Sequence, residues 1–250
     1  AYKMTYAPSF SSYWYVFQAA TCGNTTSMNA DCGSDGADGD NYGFVSSTLP
    51  ETQIFRPTLP GSYIIGLDSS APGTAGSYQL DIEEFDAPTN DTACAATPLT
   101  FTAGKVSVTG STDGARNEFG TTSTTGINCD ISTVFDGVQL YYEFTVDATK
   151  GYKLSLTPQF ANAYHYVFQK GTCAARAAVD ADCGSNGLSG ARLGPVSSGA
   201  TQTLTFSPSN AGQYVVAIDT SNVPGGGDFL LDIEEVTKPT NDTCAAAAPL

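Results

Sequence analysis

Acidic side chains, cysteines, one histidine and a group of aromatics are the residues of this chain whose types and spacing could do chemistry. The densest acidic group is Glu83, Glu84, Asp86, Asn90 and Asp91, and four of its members recur as Glu234, Glu235, Asn241 and Asp242. A hard divalent cation with oxygen ligands would relieve repulsion among such carboxylates, so calcium is a candidate at this stretch. The alternative is that the asparagines make turns and the aspartates cap nearby backbone N–H groups. A second candidate is the Asp/Gly-rich run with Asp31, Asp35, Asp38 and Asp40. It has the flexible oxygen-rich character of a calcium loop without EF-hand spacing, and a solvated acidic loop is the competing reading. The second copy of that run keeps Asp182 but has Ser189 and Ala191 at the places of Asp38 and Asp40.

Cys22 and Cys32 are spaced like Cys173 and Cys183, while Cys94 and Cys129 precede the second pair. Paired spacings in a chain of this composition favour disulfides and an oxidising compartment over free thiols. Zinc is disfavoured by the lack of a CxxC pair and the single histidine. Local pairing predicts Cys22–Cys32, Cys94–Cys129 and Cys173–Cys183, with Cys244 unpaired in this chain. His165 stands where the other copy has Trp14, which reads as an aromatic strand position and not as a base or ligand. No nucleophile elbow, H-E-x-x-H or P-loop occurs. No catalytic residue is therefore assigned, and the chain is expected not to be an enzyme. Tyr13, Trp14 and Tyr42 could stack on a sugar ring, although such residues more often fill a core.

These residues must be positioned by a repeat. Leu80-Asp-Ile-Glu-Glu84 returns as Leu231-Asp-Ile-Glu-Glu235, and Pro88-Thr-Asn-Asp-Thr92 as Pro239-Thr-Asn-Asp-Thr243. Tyr15-Val-Phe-Gln18 and Ala30-Asp-Cys-Gly-Ser34 return at Tyr166 and Ala181, again 151 residues on (Tyr15 to Tyr166). The expected organisation is the later part of one repeat (1–87), a complete repeat (88–238) and the start of a third (239–250), as in a window on a longer array. Within the complete repeat, period-two alternation marks short strands. Leu140, Tyr142, Phe144 and Val146 face one way; Phe229, Leu231 and Ile233 face inward against Asp232 and Glu234. The segment between Cys173 and Cys183 reads as irregular, and no stretch but Ala245–Ala248 offers even a helical turn. The fold class expected is all-β, with tandem jelly-roll-like β-sandwich domains of about 150 residues.

Asn90-Asp-Thr-Ala-Cys94 with Pro98-Leu99, Asp136-Gly-Val138 running into Tyr141-Tyr-Glu-Phe144, and Gly151-Tyr-Lys-Leu-Ser-Leu156 resemble the bacterial pre-peptidase C-terminal domain. Gly171-Thr-Cys173, Gly212-Gln-Tyr-Val-Val216 and Phe229-Leu-Leu-Asp-Ile233 continue the likeness. The resemblance implies a non-catalytic β-sandwich module of secreted proteins, often found near calcium or carbohydrate.

The net charge of −15 is largely unneutralised carboxylate, which disfavours nucleic acid and anionic lipid and favours cations. No run of about eighteen apolar residues is present, so no membrane-spanning helix is expected. An extracellular or cell-surface location fits this composition. Two function classes follow. The first is a structural repeat forming a shaft, filament or adhesin, with copies of itself as partners and calcium as a candidate stiffener. The second is a carbohydrate- or surface-binding accessory of a secreted hydrolase, with glycans as partners. Residues 1–87 are expected not to close a sandwich alone. Tyr2, Met4, Tyr6, Tyr63 and Ile65 would face an uncovered side, and the missing strands would come from an upstream repeat or a neighbour.

Overall fold

The computed structural model describes residues 1–32, 40–47, 49–57, 59–119, 126–129, 131–135, 137–184, 190–221 and 226–238. The chain divides into two compact units, Ala1–Ala87 and Pro88–Leu250.

Unit 1 contains β1 (Tyr2–Pro8), β2 (Ser12–Gln18), α1 (Thr25–Asp31), β3 (Asp40–Val45), β4 (Glu51–Phe55), β5 (Tyr63–Ser69) and β6 (Tyr78–Glu84). They form two antiparallel three-stranded sheets, ordered β4-β1-β6 and β3-β2-β5. Alternation in β2 turns Trp14 and Val16 inward, where they join Met4, Tyr6 and Phe55 in one core.

Unit 2 contains β7 (Thr97–Pro98), β8 (Lys105–Ser111), β9 (Leu140–Val146), β10 (Lys150–Pro158), β11 (Ala163–Gln169), α2 (Arg176–Cys183), β12 (Ala191–Val196), β13 (Gln202–Phe206), β14 (Gly212–Thr220) and β15 (Asp228–Thr237). One sheet runs β13-β10-β15-β8 and the other β12-β11-β14-β9-β7; only the short β7–β9 pair is parallel. The inward faces of both sheets meet in a single core that includes Tyr152, Leu154, Phe144, Val216 and Ile233. This is a two-layer β-sandwich. Phe229, Leu231 and Ile233 point inward and Asp232 is exposed, as the alternation of β15 predicts.

The two units share a plan. The orders β4-β1-β6 and β3-β2-β5 match β13-β10-β15 and β12-β11-β14 position by position. The registers agree too: Met4 lies opposite Ile82 as Leu154 lies opposite Ile233, and Val16 opposite Ile65 as Val167 opposite Val216. Even the bulge is kept. Pairing slips between Trp14 and Tyr15 opposite Gly43, whose φ of 83° only glycine adopts cheaply, and between Ala163 and His165 near Gly194.

One expectation needs correction. The stretch between Cys173 and Cys183 is not irregular: it holds helix α2, and its counterpart holds α1. Three alanines and the i,i+4 pair Arg176–Asp180 favour that helix without an apolar stripe long enough to announce it. The second face of β9 is covered at Tyr141 and open at Thr145. Tyr141 is fully buried, because the segment before β9 folds back over this sheet and packs Ile127, Cys129 and Phe135 on it.

Candidate functional site

The cysteines pair differently from the local scheme. Cys94 bonds Cys173 and Cys129 bonds Cys183, with Cα–Cα distances of 5.2 and 5.0 Å. Helix α2 explains the error. Its eight residues rise about 12 Å, and it separates Cys173, three residues before its start, from Cys183 at its end, beyond disulfide reach. Both bridges instead tie the segment before β9 to the β11–α2 region. The same geometry in unit 1, with α1 between them, keeps Cys22 and Cys32 apart, and neither is bridged. Cys244 lies outside the described residues.

A side chain that sequence reading passed over clamps the same segment. Asp180 on α2 accepts hydrogen bonds from the backbone N–H groups of Asn128 and Cys129, at 2.7 and 3.0 Å, and pairs with Arg176 at 3.2 Å. Arg176 donates to the Gly126 carbonyl and Arg192 to the Cys129 carbonyl. The i,i+4 spacing of Arg176 and Asp180 was the one visible signal. Asp180 also lies close to Cys129 and Cys183, but those sulfurs are consumed by their disulfide and offer no thiolate to a metal.

Among the described residues, the candidate calcium ligands of unit 2 are engaged by other partners. Asn90 and Asp91 are buried inside unit 2, where the Asn90 amide donates to the Tyr141 carbonyl at 2.9 Å. Asp91 accepts from the Arg116 backbone N–H at 3.2 Å and faces its guanidinium. These contacts span 51 and 25 residues, so they are tertiary ties and not a local turn and cap. Glu234 pairs with Lys105 of β8 at 2.9 Å and Glu235 with Lys150 at 2.6 Å, so lysines on neighbouring strands neutralise these carboxylates. In unit 1, Glu84 accepts a long hydrogen bond from Tyr2 Oη, while Glu83 and Asp86 are exposed. Asp31 is buried and accepts from the Gln18 backbone N–H and, at 3.3 Å, from Thr21 Oγ1. Asp182 does the same for Gln169, and burial raises its carboxyl above the usual range. These two aspartates tie each helix end to a strand end. Asp35, Asp38, Asn241 and Asp242 lie outside the described residues, as does the side chain of Asp40.

The proposed sugar platform is also dismantled by alternation. Trp14 is fully buried against Tyr6 and Tyr42, whereas Tyr13 points to the opposite face of the sheet and meets Phe44 edge-on. His165 is buried in β11 with Nε2 3.2 Å from the Leu154 carbonyl. Burial lowers its pKa to about 4, so it is neutral at pH 7. Beside it, buried Tyr166 donates to Asp219 at 3.0 Å, and desolvation holds the Tyr166 hydroxyl well above its ordinary range.

What remains conspicuous is a surface of unit 1 whose counterpart within unit 2 is covered. Among the described residues, β5 pairs only with β2 and β6 only with β1. Their counterparts β14 and β15 have second neighbours in β9 and β8. Ile82 is 54% exposed, against 1% for the matching Ile233. Tyr78 is exposed where Phe229 is buried. A groove of about 320 Å³ opens between the sheets, lined by Met4, Phe55, Leu59, Tyr63, Ile65 and Ile82. Met4 and Tyr6, expected to be uncovered, are buried by β2 and β4; the gap lies toward the β5 and β6 edges. On the outer face of the other sheet, Tyr13 and Phe44 are exposed, whereas Tyr164 in the corresponding place is stacked under Phe135.

No family model matches the chain, and no curated protein does. Among solved structures, the chain is similar to the VP2 subviral particle of infectious bursal disease virus, with a TM-score of 0.23 and 10% identity over 99% of this chain and 58% of that one. The Gx and Gt strain structures of the same virus give TM-scores of 0.22 each, at 11% and 13% identity, covering 94% and 98% of this chain and 56% and 58% of theirs. The chain thus spans less than two thirds of the length of these proteins. Likeness at this level assigns neither fold nor role.

Proposed function

We propose that the protein is a non-catalytic extracellular structural repeat protein, in which β-sandwich domains of about 150 residues follow one another along a shaft, filament or adhesin. The observation that carries this reading is the strand-for-strand agreement of unit 1 with six strands of unit 2, in order, register and bulge. Repetition of one bead along a chain is the economical way to build length, because each bead needs only a single solution to its packing. The two disulfides of unit 2 fit an oxidising exterior. The resemblance to the pre-peptidase C-terminal domain points the same way, toward secreted β-sandwich modules. Calcium is not required by this reading, since the junction residues Asn90 and Asp91 are engaged within unit 2 and Glu234 and Glu235 are engaged by lysines.

Electron microscopy of material isolated from its native source tests the proposal. Extended particles with a regular axial repeat are expected. Isolated globular particles attached to a hydrolase domain would overturn it in favour of an accessory module.

A further inference from the structure

Resting on that reading, we propose that unit 1 binds a polypeptide segment with the chemistry of residues 88–150, which completes its two sheets and bonds covalently to Cys22 and Cys32.

Four independent features of unit 1 call for the same occupant. The first is the pair of open edges. In unit 2 the segment 88–150 supplies β8 to the edge of β15 and β9 to the edge of β14, and unit 1 leaves both corresponding edges free among the described residues. Unpaired backbone groups at such edges accept an added strand readily. The second is the groove. In unit 2, Phe144 of β9 and Phe101 pack on Tyr152, the residue that matches Tyr2 of the groove wall. An aromatic carried on an added strand would fill the space bounded by Ile65 and Ile82. The third is charge. Glu234 is neutralised by Lys105 on β8, while the matching Glu83 is exposed, so a lysine at that place on the incoming strand meets a waiting carboxylate.

The fourth is the cysteine pair. Cys22 and Cys32 occupy the places of Cys173 and Cys183, whose partners Cys94 and Cys129 both lie in the 88–150 segment. The expected bonds are therefore Cys94-type to Cys22 and Cys129-type to Cys32. Each forms by thiol–disulfide exchange with a small disulfide oxidant such as oxidised glutathione. The thiolate of Cys22 attacks one glutathione sulfur and releases the other as thiolate. The incoming cysteine thiolate then attacks the Cys22 sulfur of the mixed disulfide and releases the second. Two thiols lose two electrons and two protons, and one glutathione disulfide becomes two glutathione thiols. The clamp beneath the second bond changes chemistry, since Asp180 and Arg176 correspond to Asn29 and Thr25. The unit 1 occupant is thus held there by neutral groups.

The test uses the full chain carrying Cys244→Ser, mixed with a synthetic peptide of residues 88–150 in a glutathione redox buffer at mildly alkaline pH. A one-to-one adduct stable without reductant is expected, with peptide Cys94 mapped to Cys22 and peptide Cys129 mapped to Cys32. A peptide of scrambled sequence with the same cysteine positions should give at least tenfold less adduct. In the Cys22→Ser, Cys32→Ser chain, non-covalent binding of the peptide should still slow amide exchange in β5 and β6. Equal adduct with the scrambled peptide, crossed pairing, or unchanged exchange in the double variant would overturn the assignment. Regular filaments in micrographs together with any of those results would leave the shaft reading standing and remove only this one.

Discussion

Asp180 carries more of unit 2 than its half-hidden place on a short helix advertises. Its carboxylate is the acceptor for two backbone donors of the segment that bears Cys129. Asp180→Ala leaves both N–H groups without that acceptor and should cost on the order of 2–3 kcal/mol in urea unfolding. His165 offers a different readout. Its native pKa of about 4 lies below the ordinary 6.5 because burial penalises the cation. Between those values the unfolded chain binds a proton that the folded chain refuses, so stability falls as pH drops from about 6.5 toward 4 and is fully present above 6.5. The loss approaches about 3 kcal/mol. His165→Phe should flatten that part of the stability–pH profile, and a profile unchanged by the substitution would show that the ring is not desolvated.

Strands β6 and β15 have nearly the same sequence and opposite surroundings. Ile233 is sealed between the sheets, whereas Ile82 is more than half exposed. In the isolated chain Ile233→Ala should cost about 2–4 kcal/mol, the usual range for emptying a core site. Ile82→Ala should cost well under 1 kcal/mol by the same measurement. Equal costs would mean that the β6 edge is covered after all. The bridges are the other element-scale device. Cys94–Cys173 closes a loop of 79 residues and Cys129–Cys183 one of 54, and closure of this length restricts the unfolded chain by about 4 kcal/mol each in the entropic account. Replacing Cys129 and Cys183 together by serine should lower the melting temperature of unit 2 and leave that of unit 1 unchanged.

At the scale of the whole molecule, one plan appears twice with unequal completeness, and hydrogen exchange should register it. In β14 both backbone edges are paired, to β11 and β9; in β5, among the described residues, only the β2 side is. Amides on the free side of β5 should exchange at least a hundredfold faster than their β14 counterparts, because edge groups open without disrupting a ladder. Uniform protection across the two strands would contradict an open unit 1. The repeat, the all-β class and the inward set of β15 were legible in the sequence because each depends on local periodicity and on comparison of one copy with the other. Alternation along β2 also separates Tyr13 from Trp14. Disulfide partners, the burial of Asn90 and Asp91, and the lysine partners of Glu234 and Glu235 were decided only by the tertiary structure. Each is a contact between residues far apart in the chain: the segment before β9 folds over a sheet built from later strands, and β15 pairs with β8 and β10. Spacing along the chain measures reach only where the backbone is straight or simply turned; helix α2 lengthened the path between Cys173 and Cys183, while the sandwich shortened the one between Cys94 and Cys173 to 5.2 Å.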